Sequence, residues 1–307
     1  MADSLDLAGR TALVTGATGG LGLEIARLLA RRGARVLAGC RSPSKLEAVR
    51  SRIAAEEGDE AAARLAPALA NLEWTGAVEE LARRLRGDEP RLDLLFVNAG
   101  IHDVPHGLTA DGQEQTFAAN YLGHFRLVHR LASAGHLAPA ARIVVSQSQS
   151  VHSNPFSWAD LESLVAPAST RLRRLFWRAT ASPNTKVLLS LAAIEYARRV
   201  EGTALGGTSF LGASPGALRT GNVDQPGVAM KLLELAAPLL LRPAAEGAEL
   251  LVWVATAPEL AGRTAEVYGT DRRPVRLSSR ASDPQMAKRA WETTERVLSL
   301  PAFEPKR

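Results

Sequence analysis

The sequence predicts an α/β protein, a doubly wound parallel sheet of about seven strands with helices on both faces. Three observations carry that prediction. Short apolar, β-branched runs alternate with segments of helical period along nearly the whole chain. A glycine-rich break, Gly16 to Gly22, follows directly on the first apolar run. The 307 residues, 46% of them hydrophobic, are ample for one large core, and no shift of composition divides them, so residues 1–307 read as a single domain.

Taken in order, strands are expected at 11–15, 35–39, 64–69, 92–98, 141–147 and 208–213, with a short edge strand near 265–268. Between them, 21–32, 45–57, 78–86, 112–133 and 185–199 carry apolar residues at helical spacing. A helical pair is expected at about 227–255 and a last helix at about 281–299. Right-handed crossovers then close one sheet. Residues 151–181 interrupt the alternation. There Leu172, Leu175, Phe176 and Ala179 share one helical face while Arg171, Arg174 and Arg178 lie elsewhere. That pattern suits either an amphipathic lid inserted at 151–181 or a surface helix packed on the body.

Composition excludes several classes. One cysteine, Cys40, rules out an intramolecular disulfide framework and fits a reducing compartment. The first six residues are acidic and lack an apolar centre, and the longest greasy stretch, 232–241, is too short to span a bilayer and contains Glu234, so a cytoplasmic protein without a membrane is expected. The net charge of +5 comes from arginines spread along the chain, which reads as solvated helices and not as a nucleic-acid patch. A lone cysteine and scattered histidines offer no metal-ligand spacing, and no metal is expected.

The strand 11–15 breaks into Gly16-Ala17-Thr18-Gly19-Gly20-Leu21-Gly22 at the opening of a helix. Backbone N–H groups at such a turn approach a pyrophosphate at the positive end of the helix, the arrangement of a Rossmann-type dinucleotide site. The second strand ends Gly39-Cys40-Arg41-Ser42, where a cofactor with a free ribose 2′-hydroxyl would call for Asp or Glu about twenty residues after the glycines. Cys40 holds the acidic place and Arg41 follows. A guanidinium forks well around a phosphate, so NADP(H) is expected over NAD(H).

With these residues in view, the chain resembles the short-chain dehydrogenase/reductase family. Thr15-Gly16-x-x-x-Gly20-x-Gly22 matches the family's glycine motif, and Asn98-Ala99-Gly100 matches the motif after its fourth strand. The segment 117–125 looks like the helix carrying its active-site asparagine, here Asn120. Ser214-Pro215-Gly216 with Thr220 resembles the turn that holds the nicotinamide carboxamide. From Ala245-Glu246-Gly247-Ala248-Glu249 to Asp283-Pro284 and Trp291, the tail is similar to the retinol-dehydrogenase-like branch. Thr18, Leu21, Ser42, Leu69 and Lys186 complete the cofactor contacts the resemblance implies; Leu69 would cover the adenine, while Ala68 stands where the family places an aspartate.

The resemblance also implies a catalytic serine on the fifth strand, a tyrosine and a lysine four residues later, the lysine lowering the tyrosine pKa so that it protonates a carbonyl as hydride arrives. Helical spacing of four puts the last two on one face. Lys186 aligns with the lysine, and counting back four gives Ser182. Followed by Pro183, Ser182 reads either as a helix N-cap or as a participant with poor reach and acidity. Ser148 is the best match to the strand serine, with Ser146 on the same face leaving the register open by one such step. Asn120 would belong to a water relay from Lys186. Other donors are weighed on position: His102 in the loop after Gly100, His152 and Ser150 at the start of the insertion, and Tyr121, which should face the core.

Three functions follow. The first is an NADPH-dependent ketoreductase acting on a polycyclic aromatic polyketide of angucyclinone type, in antibiotic biosynthesis, whose substrate phenol or another group supplies the proton. It is similar to the tyrosine-lacking ketoreductases of such pathways. The second is a non-catalytic NADP(H) sensor or scaffold; the third is a retinol- or steroid-type dehydrogenase with a displaced donor. The expected partner is a small polycyclic substrate, and homo-oligomers are common in the family.

Overall fold

The structure is a computed structural model that describes residues 6–102, 105–148, 151–152, 171–219 and 241–305, with the backbone alone at 171–180. Seven parallel strands form one sheet in the order β3-β2-β1-β4-β5-β6-β9. They are β1 (Thr11–Thr15), β2 (Arg35–Cys40), β3 (Leu65–Leu69), β4 (Leu92–Val97), β5 (Leu137–Ser146), β6 (Ser209–Ala213) and β9 (Val267–Tyr268). A separate pair, β7 (Leu218–Arg219) and β8 (Arg242–Pro243), lies outside it. Strand order reverses between β1 and β4, so the loops leaving their carboxyl ends diverge and open a crevice, the place where open α/β sheets bind ligands.

Alternation along β1 shows how the layers are divided. Leu13 joins the core beneath one face, while Ala12 and Val14 join the core beneath the other. Helices α1 (Gly20–Arg31), α2 (Pro43–Glu57) and α8 (Ala244–Thr256) cover the second face; α4 (Thr75–Asp88), α6 (Gly123–Ser133), α7 (Arg171–Val200) and α9 (Pro284–Val297) cover the first. Asp283 caps α9 by accepting hydrogen bonds from the backbone N–H groups of Gln285 and Met286 at 2.8 and 3.2 Å, with Pro284 at its first turn. Among the described residues no helix is long and apolar enough to cross a membrane.

The structure departs from the sequence expectation in four places. β5 begins at Leu137 and not 141, through a register irregularity against β4 at Leu92/Leu94. A short helix, α3 (Asp59–Ala63), starts with two acidic residues just after Gly58. The helix expected at 112–133 is three pieces: α5 (Gln115–Phe117), a π-helical stretch (Ala118–Leu122) and α6. Most consequential, the helix expected at 185–199 begins at Arg171 and carries Pro183 inside it. Ser182 is therefore no N-cap. The helix runs on through a proline that usually ends one. The last part of the expected insertion, 171–181, is thus continuous with the Lys186 helix; residues 153–170, Ser150, Thr220 and the helix expected at 227–240 lie outside the described residues.

Candidate active site

The crevice is built first from close backbone packing. Gly16 turns with φ +69°, a left-handed conformation that a side chain would strain. At Gly22, a Cβ would lie 2.1 Å from the Gly16 carbonyl oxygen and 2.6 Å from Asn98 Nδ2. Only a bare α-carbon lets α1 seat this close to the loop after β1. The first turn of α1 holds no acidic residue, and its N-cap, Gly19, offers no side-chain hydrogen bond. Its N–H groups therefore meet no carboxylate from the helix's own first turn, which fits a pyrophosphate. Thr18 and Gly20 complete this turn, and Leu21 is buried behind it.

Thr15 ties the loop to β4. Its Oγ1 donates to the Phe96 carbonyl at 2.9 Å and accepts from the backbone N–H groups of Asn98 and Ala99 at 2.9 and 3.1 Å, while Asn98 Nδ2 donates to the Thr15 carbonyl at 3.0 Å. His124 Nε2 stands 2.9 Å from Thr15 Oγ1, and its Nδ1 3.2 Å from the Asn120 carbonyl. Burial pushes the His124 pKa down to about 4. Gly100 lies against Asn120, where a Cβ would meet Asn120 Oδ1 at 3.2 Å. At the ribose end, Arg41 is exposed and pairs with Glu73 at 3.2 Å, and Ser42 Oγ lies 2.8 Å from Ser44 Oγ at the N-terminus of α2. Leu69 ends β3 beside Cys40. Across the crevice Pro215 and Gly216, the latter at φ +80°, turn the chain after β6. These residues fit an adenine dinucleotide.

Lys186 is buried, and its Nζ donates to the Ser146 carbonyl at the end of β5 at 2.6 Å. Burial pushes its pKa down to about 8. One turn earlier, Ser182 is buried, and its Oγ lies 2.7 Å from His102 Nδ1. Desolvation, and then the Lys186 charge, bring the His102 pKa to about 4, although the residue as a whole is exposed. Ser148 is exposed just past the end of β5, and Gln147 turns inward to donate to Ser190 Oγ at 2.9 Å and the Lys186 carbonyl at 3.2 Å.

The structure therefore brings Lys186, Ser182 and His102 together at the carboxyl ends of β4 and β5. The Asn120 side chain is taken up by Ile101: Oδ1 accepts from the Ile101 N–H at 2.7 Å and Nδ2 donates to the Ile101 carbonyl at 2.9 Å. Tyr121 faces the core, its hydroxyl 2.9 Å from Thr294 Oγ1. His152 Nδ1 lies 2.8 Å from the Arg276 carbonyl. Sequence reasoning missed His124, Glu73 and Gln147. A buried polar residue within an apolar helical face was the one available signal for His124. Among the described residues no group of His, Cys, Asp and Glu could hold a metal.

The family of short chain dehydrogenases matches residues 10–159. Retinol dehydrogenase 14 of Homo sapiens is 30% identical over 305 residues, covering 95% of this chain and 87% of the relative. Dehydrogenase/reductase SDR family member 13 of Bos taurus is 32% identical over 299 residues, covering 96% and 74%. A crystal structure of an uncharacterised protein from Mycobacterium paratuberculosis superposes with a TM-score of 0.69 at 27% identity, covering 97% of this chain and 96% of that one. The chain belongs to the short-chain dehydrogenase/reductase family, oxidoreductases that act on an alcohol or carbonyl group with a nicotinamide cofactor.

Proposed function

We propose that this protein is an NADP(H)-dependent ketoreductase of hydroxylated polycyclic aromatic ketones. The observation that carries this reading is the group at the carboxyl ends of β4 and β5: a buried Lys186 one turn beyond Ser182, with no phenol between them. When bound, the reduced nicotinamide supplies hydride to the carbonyl carbon. In this reading Lys186, buried and bonded to the Ser146 carbonyl, holds the nicotinamide ribose, and Ser148 donates a hydrogen bond to the carbonyl oxygen. A substrate whose own hydroxyl is hydrogen-bonded to the ketone arrives already polarised and asks less of the protein. Arg41 with Ser42 and Ser44 at the α2 N-terminus supports the 2′-phosphate.

The test follows NADPH absorbance with a polycyclic ketone bearing an adjacent hydroxyl, its O-methyl ether, retinal and a steroid ketone. Turnover of the hydroxy ketone, slower for the ether, is expected. Similarity to retinol dehydrogenase 14 favours a second reading, which turnover of retinal alone would establish. Cofactor binding without turnover of any carbonyl would leave a sensor or scaffold.

A further inference from the structure

A tyrosine carries its hydroxyl at the far end of a ring, whereas a serine hydroxyl stops at Cβ. Ser182 alone therefore leaves an empty reach in front of Lys186. His102, from the opposite wall of the crevice, fills it: its Nδ1 and Ser182 Oγ share a 2.7 Å hydrogen bond between β4 and α7. An aromatic ring with an ionisable nitrogen thus stands beside the position where the phenol is missing. Resting on the reductase reading, we propose that His102 is the proton donor to the substrate carbonyl oxygen, and that Ser182 is the positioning residue that holds Nδ1 and leaves Nε2 to face the substrate.

The surrounding structure fixes His102 more firmly than a surface loop requires. Both backbone polar groups of the preceding residue, Ile101, are bonded to Asn120, itself set in the π-helical stretch 118–122. Gly100 allows that contact, because a Cβ there would crowd Asn120. Ser182 is held in turn within α7, with its carbonyl accepting from Thr185 Oγ1 at 2.7 Å. Backbone and ring of His102 are therefore anchored from two separate elements, as a donor acting on one oxygen needs.

The proton balance closes without a metal. As hydride from the reduced nicotinamide forms the new C–H bond, the carbonyl π pair moves to oxygen and takes the proton from imidazolium Nε2. His102 is left neutral. It recovers a proton from solvent, which the exposed residue can reach. The reverse reaction uses the neutral ring as base. Among the described residues, Lys186 on α7 is the charged group whose field reaches His102. Because that field and desolvation bring the pKa to about 4, kcat/KM for reduction should fall about tenfold per pH unit above pH 5.

The experiment uses the full chain with NADPH and 9,10-phenanthrenequinone, a polycyclic carbonyl without a phenol. His102→Asn and His102→Gly are expected to lower kcat roughly 100-fold or more with little change in NADPH affinity, and added imidazole to restore His102→Gly. Ser182→Ala should lower kcat about tenfold at similar KM and leave the acid pH profile in place. Ser182→Tyr combined with His102→Asn should regain activity that His102→Asn lacks. Independently of turnover, 15N-histidine NMR of the NADP+-loaded chain should show His102 Nε2 shifting on addition of the quinone. Wild-type turnover with undiminished His102 variants, or an unmoved Nε2 resonance, overturns the donor assignment and leaves the reductase reading standing. Failure of the wild type on every carbonyl overturns the reductase reading itself.

Discussion

Asn120 offers the sharpest test of how the site is held. Its amide makes two bonds to one residue, accepting from Ile101 N at 2.7 Å and donating to Ile101 O at 2.9 Å. Asn120→Ala removes both, and at about 1 kcal/mol net per bond, with a further cost for the partly buried Ile101 groups left unpaired, the loss is about 2–4 kcal/mol. Better helix propensity returns roughly 0.5 kcal/mol. For a chain of this size each kcal/mol moves Tm by roughly 2–4 °C, so a fall of roughly 5–10 °C is expected by calorimetry. Function should suffer more than stability, because Ile101 precedes His102 and the loop is then free to shift. Asn120→Asp separates the two bonds: it keeps an acceptor for Ile101 N–H but sets a carboxylate oxygen against the Ile101 carbonyl, so it should be no more stable than Asn120→Ala at neutral pH. A Tm within 1 °C and a kcat within twofold of wild type for Asn120→Ala would refute the holding role.

Three further outcomes are expected. Lys186→Met should stabilise the chain by up to about 3 kcal/mol at pH 7 while abolishing turnover, because a pKa near 8 against 10.5 unfolded means that burial of the charged form costs most below pH 8 and is relieved as pH rises to 10.5; urea unfolding at pH 7 and 10 checks both size and sign. His124, with a pKa near 4 against 6.5 unfolded, contributes stability that is complete above pH 6.5 and is lost as pH falls through 4, so His124→Gln should flatten the acid limb of a Tm-versus-pH curve by up to about 3 kcal/mol; an unchanged limb would rule this out. Glu73→Gln should tighten NADPH more than NADH in fluorescence titration by freeing Arg41, and Arg41→Glu should do the reverse; equal effects on both cofactors would remove the 2′-phosphate assignment.

The sheet was legible because its signals are local and repeated. Each strand from β1 to β6 is a short apolar run, and the glycines of residues 16–22 announce the one tight turn that must approach α1. The start of α7 differs from the expectation because Ser182-Pro183 has the local chemistry of a helix beginning, while the helix runs through it from Arg171. The π-helical stretch around Asn120 was invisible, since it has no local sequence signal and Asn120 is bonded there to Ile101 on another segment. The same reason hid the His102–Ser182 bond, whose partners lie eighty positions apart. Both residues could be suspected from sequence. Their pairing could not, because it depends on the distance between β4 and α7.

That pairing also gives the retained lysine a purpose. Beside a phenol, whose pKa is about 10, a buried ammonium strengthens a weak acid toward neutral pH. Beside an imidazole, whose ordinary pKa is about 6.5, the same charge acts on a group already acidic enough. Desolvation and the Lys186 field therefore overshoot, to about 4, and the ring rests neutral at pH 7. A donor in that state is strong but seldom loaded, so reduction should be favoured in acid and the reverse oxidation should run unhindered from pH 5 upward. An ordinary tyrosine member would lose oxidation first as pH falls, because its phenolate is protonated near neutrality. The two pH profiles differ in direction between pH 5 and 7. Serine in place of tyrosine at position 182 thus alters the pH at which each direction runs as well as the source of the proton, and a reduction rate that falls from pH 5 to 7 while oxidation stays level distinguishes a histidine donor from a tyrosine-like one.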